Sequence, residues 1–241
     1  MKQFINNRKT LFKAVVGSFN YNLNDEKSDL DYKIFMLPLF EDMFYNRKPF
    51  AYDYKEDNAD YDCHDVRKLT NLLHKSNINF LEILFSRDIE ISTAMSAKSF
   101  QDITSIFSMR ESIARMNLSY LYDSCVGSHI NNMRKLLEEY DDKTAMKCYR
   151  FLLVLKLYAN NGFKSFASAI RYENGSKEKD LLMAIRHGEI PKEEVLHIIT
   201  GLFNDVEENY KAIYKSNDFN QATFNKLEKL VISIIKQEIF R

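Results

Sequence analysis

The sequence predicts an α+β protein: a small mixed β-sheet domain with flanking helices over residues 1–97, followed by an all-helical C-terminal domain over residues 98–241. Two observations predict it. Short apolar runs stopped by glycine or proline crowd the first part of the chain, which is the habit of strands. From Ala97 onward the apolar residues recur every three to four positions and keep that period to the end, which is the habit of helices.

Composition narrows the classes. Apolar residues make up 45% and charged residues 28% of 241, enough for one large core or two modest ones under a water-facing surface. Thirty-four basic residues balance 34 acidic ones, so attraction to a nucleic acid must come from local patches rather than net charge. The first residues lack a secretory apolar run, and no later run reaches the length that crosses a bilayer, so a cytoplasmic protein with no membrane partner is expected. Cys63, Cys125 and Cys148 are odd in number and form no Cys-x-x-Cys pair, which excludes a disulfide framework and a zinc site as readings.

The elements follow in order. Residues 1–10 are a polar lead-in anchored by Phe4 and Ile5. Residues 11–16 form the first strand, closed by Gly17, and residues 19–27 a loop carrying Tyr21 and Leu23 over the site. Residues 29–37 form the second strand, ended by Pro38. Residues 39–55 read as irregular and aromatic. The centre of the next stretch, Asp60-Tyr61-Asp62-Cys63-His64, alternates as a strand does, and it is expected to run antiparallel to the Asp29 strand. Residues 65–74 form a helix capped by Asp65, residues 80–85 a second, and residues 89–91 a last small strand. The helical part then spans 103–137 with a break near Gly127, followed by 143–160, 179–186, 192–215 and 221 to the end.

Chemistry concentrates near the first two strands. Positions i and i+2 of a strand share a face, so Asp29 and Asp31 stand together while Leu30, Tyr32, Ile34 and Met36 face the other way onto a core. Two carboxylates held that close repel, and a hard divalent cation such as magnesium relieves the repulsion. Gly17 and Ser18 supply what a phosphate needs, a bare backbone turn and a hydroxyl. Asp60, Asp62 and His64 share a strand face and offer a third carboxylate. A Walker-type phosphate loop and a nucleophile-elbow serine are both missing, and His74, His129, His187 and His197 stand at no metal-ligand spacing.

Gly17-Ser18, a spacer, then Asp29-Leu30-Asp31 resembles the glycine-serine and Asp-x-Asp signature of the nucleotidyltransferase superfamily of DNA polymerase beta. The longer reading, Gly17 to Leu23 with Ser28 to Asp31, resembles its RNA-repair-associated branch, common in phages and bacteria. That resemblance implies transfer of a nucleoside monophosphate from a nucleoside triphosphate to an acceptor hydroxyl by two-metal catalysis, with an RNA or tRNA end favoured. In it Asp29, Asp31 and Asp60 are catalytic, and magnesium is held by Asp29, Asp31 and either Asp60 or Asp62. In the branch an aspartate opens this strand ahead of a basic helix, a place that Asp60 fits, with Arg67-Lys68-Leu69 following. Gly17 and Ser18 would hold the β and γ phosphates. Charge to offset them is offered by Lys147, Arg150, Lys156, Arg171 and Arg186. Of these, Arg150 and Arg186 match basic segments of the branch, although Tyr149 stands where a histidine is usual. Asn77 to Ser86 matches a further segment, in which Glu82 is structural or pairs with an arginine near the site. The alternatives are a nucleotidyltransferase that modifies a protein or small molecule, and a non-catalytic interaction or antitoxin module of a phage. The helical half has amphipathic surface enough for a homodimer.

Overall fold

The structure, a computed structural model, describes residues 7–240; the expected anchors Phe4 and Ile5 lie outside them. It has the expected α+β architecture, a mixed five-stranded sheet with flanking helices and a helical C-terminal part. The strands are β1 (Thr10–Val16), β2 (Leu30–Met36), β3 (Ala51–Glu56), β4 (Ala59–Asp65) and β5 (Ile89–Ile91), in the spatial order β3-β4-β2-β1-β5.

The aromatic stretch read as irregular supplies an extra strand, and that strand corrects the topology. β3 runs against β4 across a turn in which Asp57 and Asn58 both take positive φ, the twist a two-residue hairpin requires. Two reversals after β2 bring β4 back parallel to it, not antiparallel. Asp60 consequently falls beside Asp31, at the same end of the sheet.

The alternation along β2 holds, but the larger core lies under the other face. Phe12, Ala14 and Val16 of β1 join Phe35 in the main core, and their register puts Phe35 opposite Phe12 and Asp31 opposite Val16. Ile34, Met36 and Cys63 make only a small cluster on the far side, covered by Phe50, Tyr54 and Tyr61. The acids therefore sit at the end of the core-facing surface, where the helices cover it, rather than on a free face.

Helices begin where short polar side chains can cap them. After α1 (Gly17–Tyr21) and α2 (Phe40–Phe44), Asp65 caps a 3-10 turn that leads into α3 (Leu69–His74), accepting from the Arg67 amide at 2.9 Å. Asn77 caps α4 (Ile78–Leu81), which continues as the 3-10 turn Glu82–Phe85. Ser96 caps α5 (Ala97–Ser108), and α6 (Arg110–Ala114) follows. Asn117 caps α7 (Leu118–Glu138), which passes through Gly127 unbroken; the expected break lies instead at Met109 and before Asn117. Asp141 caps α8 (Asp142–Asn160), the central helix of the second half, and α9 (Phe166–Ile170) is a short helix that sequence periodicity missed. α10 (Lys177–Arg186) and α11 (Lys192–Asp205) follow; α11 passes through a π turn, Val206–Tyr210, into α12 (Lys211–Lys215). The last helix, α13 (Gln221–Ile239), packs back on α5 and α3, and its Glu238 pairs with Lys9 beside β1. Among the described residues no helix is long and apolar enough to cross a membrane.

Candidate active site

One cleft of about 760 Å³ lies between the acid end of the sheet and α8, bordered by Gly17, Ser18, Asp29, Asp31, Asp60 and Asp62 on one side. Asp31 is half-buried, and its carboxyl is raised above the usual range, first by burial and then by the Asp60 carboxylate, with Asp29 adding to it. Asp60 lies opposite Asp31 in the parallel register and meets Lys55 at 2.9 Å. Asp62 faces different company. It lies opposite Lys33, which it contacts at 2.6 Å, and 2.7 Å from the His64 ring, itself packed on Phe35 and Phe80. Burial works to raise Asp62, but His64 and Lys33 outweigh it and bring the carboxyl down to about 2. Of the two acids left open as the third carboxylate, Asp60 is thus the neighbour of Asp31, whereas Asp62 is already neutralised.

Gly17 is demanded twice. Its φ of +68° is left-handed, and a Cβ there would lie 2.3 Å from the Asp31 carboxylate. Its N–H does not face the cleft unclaimed, because it donates to Glu82 at 3.1 Å. Glu82 is buried and raised, chiefly by that burial, while Tyr21 and the nearby Arg150 charge oppose the rise. Arg150 stands over the Tyr21 ring at 3.9 Å, only 4% exposed, and its Nη1 has no hydrogen-bond partner. Sequence matching to the branch pointed to Glu82 and Arg150, but not to Tyr21 as the ring between the turn and the guanidinium.

The five basic residues expected to offset phosphate charge divide into two groups. Lys156 pairs with Asp205 at 2.8 Å. Arg171 holds the Asn20 side chain and carbonyl and the Phe85 carbonyl, bracing α1. Arg186 borders the cleft, yet its guanidinium is taken by the Leu23 carbonyl at 2.7 Å, the Ser28 hydroxyl at 2.9 Å and Asp25 at 3.0 Å. It clasps the loop between α1 and β2. Lys147 and Arg150 remain without such partners along the cleft wall, joined by Lys143, which sequence reasoning missed. Its signal was available: Lys143, Lys147 and Arg150 stand at i, i+4 and i+7 of one amphipathic helix.

A family profile, that of the RNA repair pathway DNA polymerase beta family, matches residues 1–233. The chain belongs to this family. Among solved structures, a nucleotidyltransferase-like protein from Exiguobacterium sibiricum 255-15 is similar at 10% identity, covering 98% of this chain and 73% of the other, with a TM-score of 0.29, too low to carry an argument. A search of curated proteins finds no match. Membership of a polymerase-beta-like nucleotidyltransferase family makes nucleotidyl transfer the general chemistry to test the cleft against. For a divalent cation the donors fit in kind. They are hard carboxylate oxygens, and the repulsion of Asp31 by Asp60 and Asp29 is opposed only in part by Lys143 and Lys33, which leaves its carboxyl raised. Among the described residues no three His, Cys, Asp or Glu side chains already stand at metal-ligand spacing.

Proposed function

We propose that the protein transfers a nucleoside monophosphate from a nucleoside triphosphate to an acceptor hydroxyl, an RNA or tRNA end being the favoured acceptor. The observation that carries this reading is the meeting of Asp29, Asp31 and Asp60 with the Gly17 turn in one cleft, facing unpaired cations of α8. The family's RNA-repair description supports the choice of acceptor.

In the reaction the acceptor oxygen bonds to the α-phosphorus, the bond to the bridging oxygen breaks, and pyrophosphate leaves with the electron pair while the hydroxyl proton is lost. Asp29, Asp31 and Asp60 would hold magnesium; when bound, it lowers the pKa of the attacking hydroxyl and neutralises charge on the phosphates. The Gly17 turn keeps the Asp31 carboxylate at one edge, since only a residue without Cβ leaves it room. Because the Gly17 amide is spent on Glu82, Ser18 is the donor of this turn left for phosphate. Arg150 presents a desolvated guanidinium, whose bonds to phosphate are stronger for lack of competing water.

A second reading keeps the chemistry and changes the acceptor. Asp53, Asp60 and Asp62 of the β3–β4 hairpin line the cleft, with Lys55 among them, and Glu56 and Asp57 follow at the hairpin's turn; so many acids disfavour a polyanionic acceptor and suit a protein or small molecule. Incubation with each labelled nucleoside triphosphate and magnesium, scored on bulk RNA, on protein and on the small molecules of a cell extract, separates the two. Label entering RNA in wild type and vanishing in Asp31→Asn is the expected result. Label entering protein or a small molecule moves the assignment to the second reading, and no label in any acceptor overturns both.

A further inference from the structure

Strand register sets three charged side chains in one row at the cleft. Asp31 of β2 lies opposite Asp60 of β4, and Asp60 lies opposite Lys55 of β3, so all three share one face of the sheet. The Lys55 ammonium meets Asp60 at 2.9 Å. That contact raises the ammonium, and the charges of Asp29 and Asp31 add to the rise, so one tethered cation answers all three acids. The next row is built alike: Lys33 lies opposite Asp62, which it holds at 2.6 Å, and Asp62 lies opposite Asp53. The two lysines differ in exposure. The Lys33 side chain is 13% exposed and stands over the Phe80 ring, whereas that of Lys55 is 77% exposed. An ion pair in open water is worth little and exchanges readily, while one largely withdrawn from water is costly to break. Lys55 is therefore the replaceable partner. A second hollow of about 310 Å³ beside it, bordered by Glu56 and Asp57 as well as by Asp29 and Asp60, gives a displaced ammonium an acidic place to turn to.

We infer that Lys55 is a built-in counter-ion for the three acids, one that a divalent cation must displace from Asp60, and that it thereby sets how tightly the acids take metal before any nucleotide arrives. An ammonium at that oxygen and a divalent cation on the same carboxylate repel one another, so each binds at the other's expense. Lys55 is a positioning residue: it touches a metal-binding acid and not the reacting atoms. The inference rests on the nucleotidyl-transfer reading only for its choice of Asp29, Asp31 and Asp60 as the acids that take the metal.

Titration calorimetry of the full chain with Mn2+ as the probe and no nucleotide present tests it. Lys55→Gln is expected to bind Mn2+ about three- to fivefold more tightly than wild type. Lys55→Arg, which keeps the charge, should stay within about twofold of wild type. Lys156→Gln removes a lysine that is paired with Asp205 instead, and it should match wild type. Scanning calorimetry supplies a readout that loss of an ordinary surface charge does not move. In EDTA Lys55→Gln should melt below wild type, because the acids have lost their counter-ion, and saturating Mn2+ should close the gap. Equal or weaker Mn2+ affinity in Lys55→Gln, the same tightening in Lys156→Gln, or a gap in Tm that Mn2+ leaves open would each overturn the counter-ion. Transfer of label is scored separately: equal affinities beside intact transfer sink the counter-ion and spare the reaction, and tighter binding in Lys55→Gln beside a wild type that transfers nothing does the reverse.

Discussion

The two walls of the cleft solve opposite problems with opposite scaffolds. The acid wall is assembled from strand ends, Asp29 and Asp31 around the start of β2 and Asp60 near the start of β4, brought together by sheet register. The basic wall comes from a single helix at local spacing, Lys143, Lys147 and Arg150. Each wall gathers like charges that folding alone would separate. Elsewhere the protein pairs opposites: Lys33 with Asp62, Arg186 with Asp25, Lys156 with Asp205. The contrast is one of degree: within each wall like charges outnumber their partners, although Lys55 meets Asp60 and Lys143 opposes the rise at Asp31 from across the cleft.

Asp31→Asn is the strongest way to break this comparison. Transfer should fall by roughly 10³-fold, while the fold loses nothing. Because the folded-state pKa of Asp31 is raised, folding favours its protonated form, and stability from this group is gained as pH falls through that raised value and is lacking at neutral pH. Scanning calorimetry at pH 7 should therefore give a Tm equal to or above wild type. A clear drop would mean the acid wall is structural.

Gly17→Ala tests whether the acid wall depends on the turn. The left-handed φ and the contact with Asp31 together should cost about 1–3 kcal/mol in urea unfolding, with transfer falling alongside. A neutral effect on both would detach the glycine from Asp31.

Arg186→Gln sharpens the difference between a clasp and a phosphate contact. Amide exchange over residues 23–28 should speed up, because the Leu23 carbonyl, Ser28 and Asp25 lose their shared partner, whereas tripolyphosphate affinity in EDTA should stay within about twofold of wild type. A larger affinity loss would move Arg186 onto the basic wall.

The smallest effect concerns the neutralised acid. Asp62 is brought down to about 2, so its pairing stabilises the fold above the ordinary aspartate value near 4 and is lost as pH falls from there toward 2. Asp62→Asn should flatten the acid side of the stability-pH curve over that window and leave transfer mostly intact. Loss of transfer as deep as in Asp31→Asn would return Asp62 to the acid wall.

Much of the site was legible from local pattern. Gly17-Ser18 and Asp29-Leu30-Asp31 are short-range features whose chemistry follows from residue type and from period two, and the cap at Asp65 is equally local. The β3–β4 hairpin was legible in principle, since Asp57-Asn58 is a pair that tolerates positive φ, but the many charges around it read as a loop. The break expected at Gly127 did not occur, because packing of α7 along α8 overrides one weak helix former.

By itself the amino-acid order determined the fold class, the acids that share a strand face and the helix that carries the basic wall, because each depends on neighbours within a few residues. Only the tertiary structure decided that Asp60 and not Asp62 stands beside Asp31, that the acids point under the helices, and that Arg186 is spent while Arg150 is not. Those outcomes rest on strand register and on partners about 30 to 160 residues away in the chain, such as Asp62 for Lys33 and Asp25 for Arg186. Local periodicity is blind to such partners, since whether a charge is free depends on which distant group the fold brings against it.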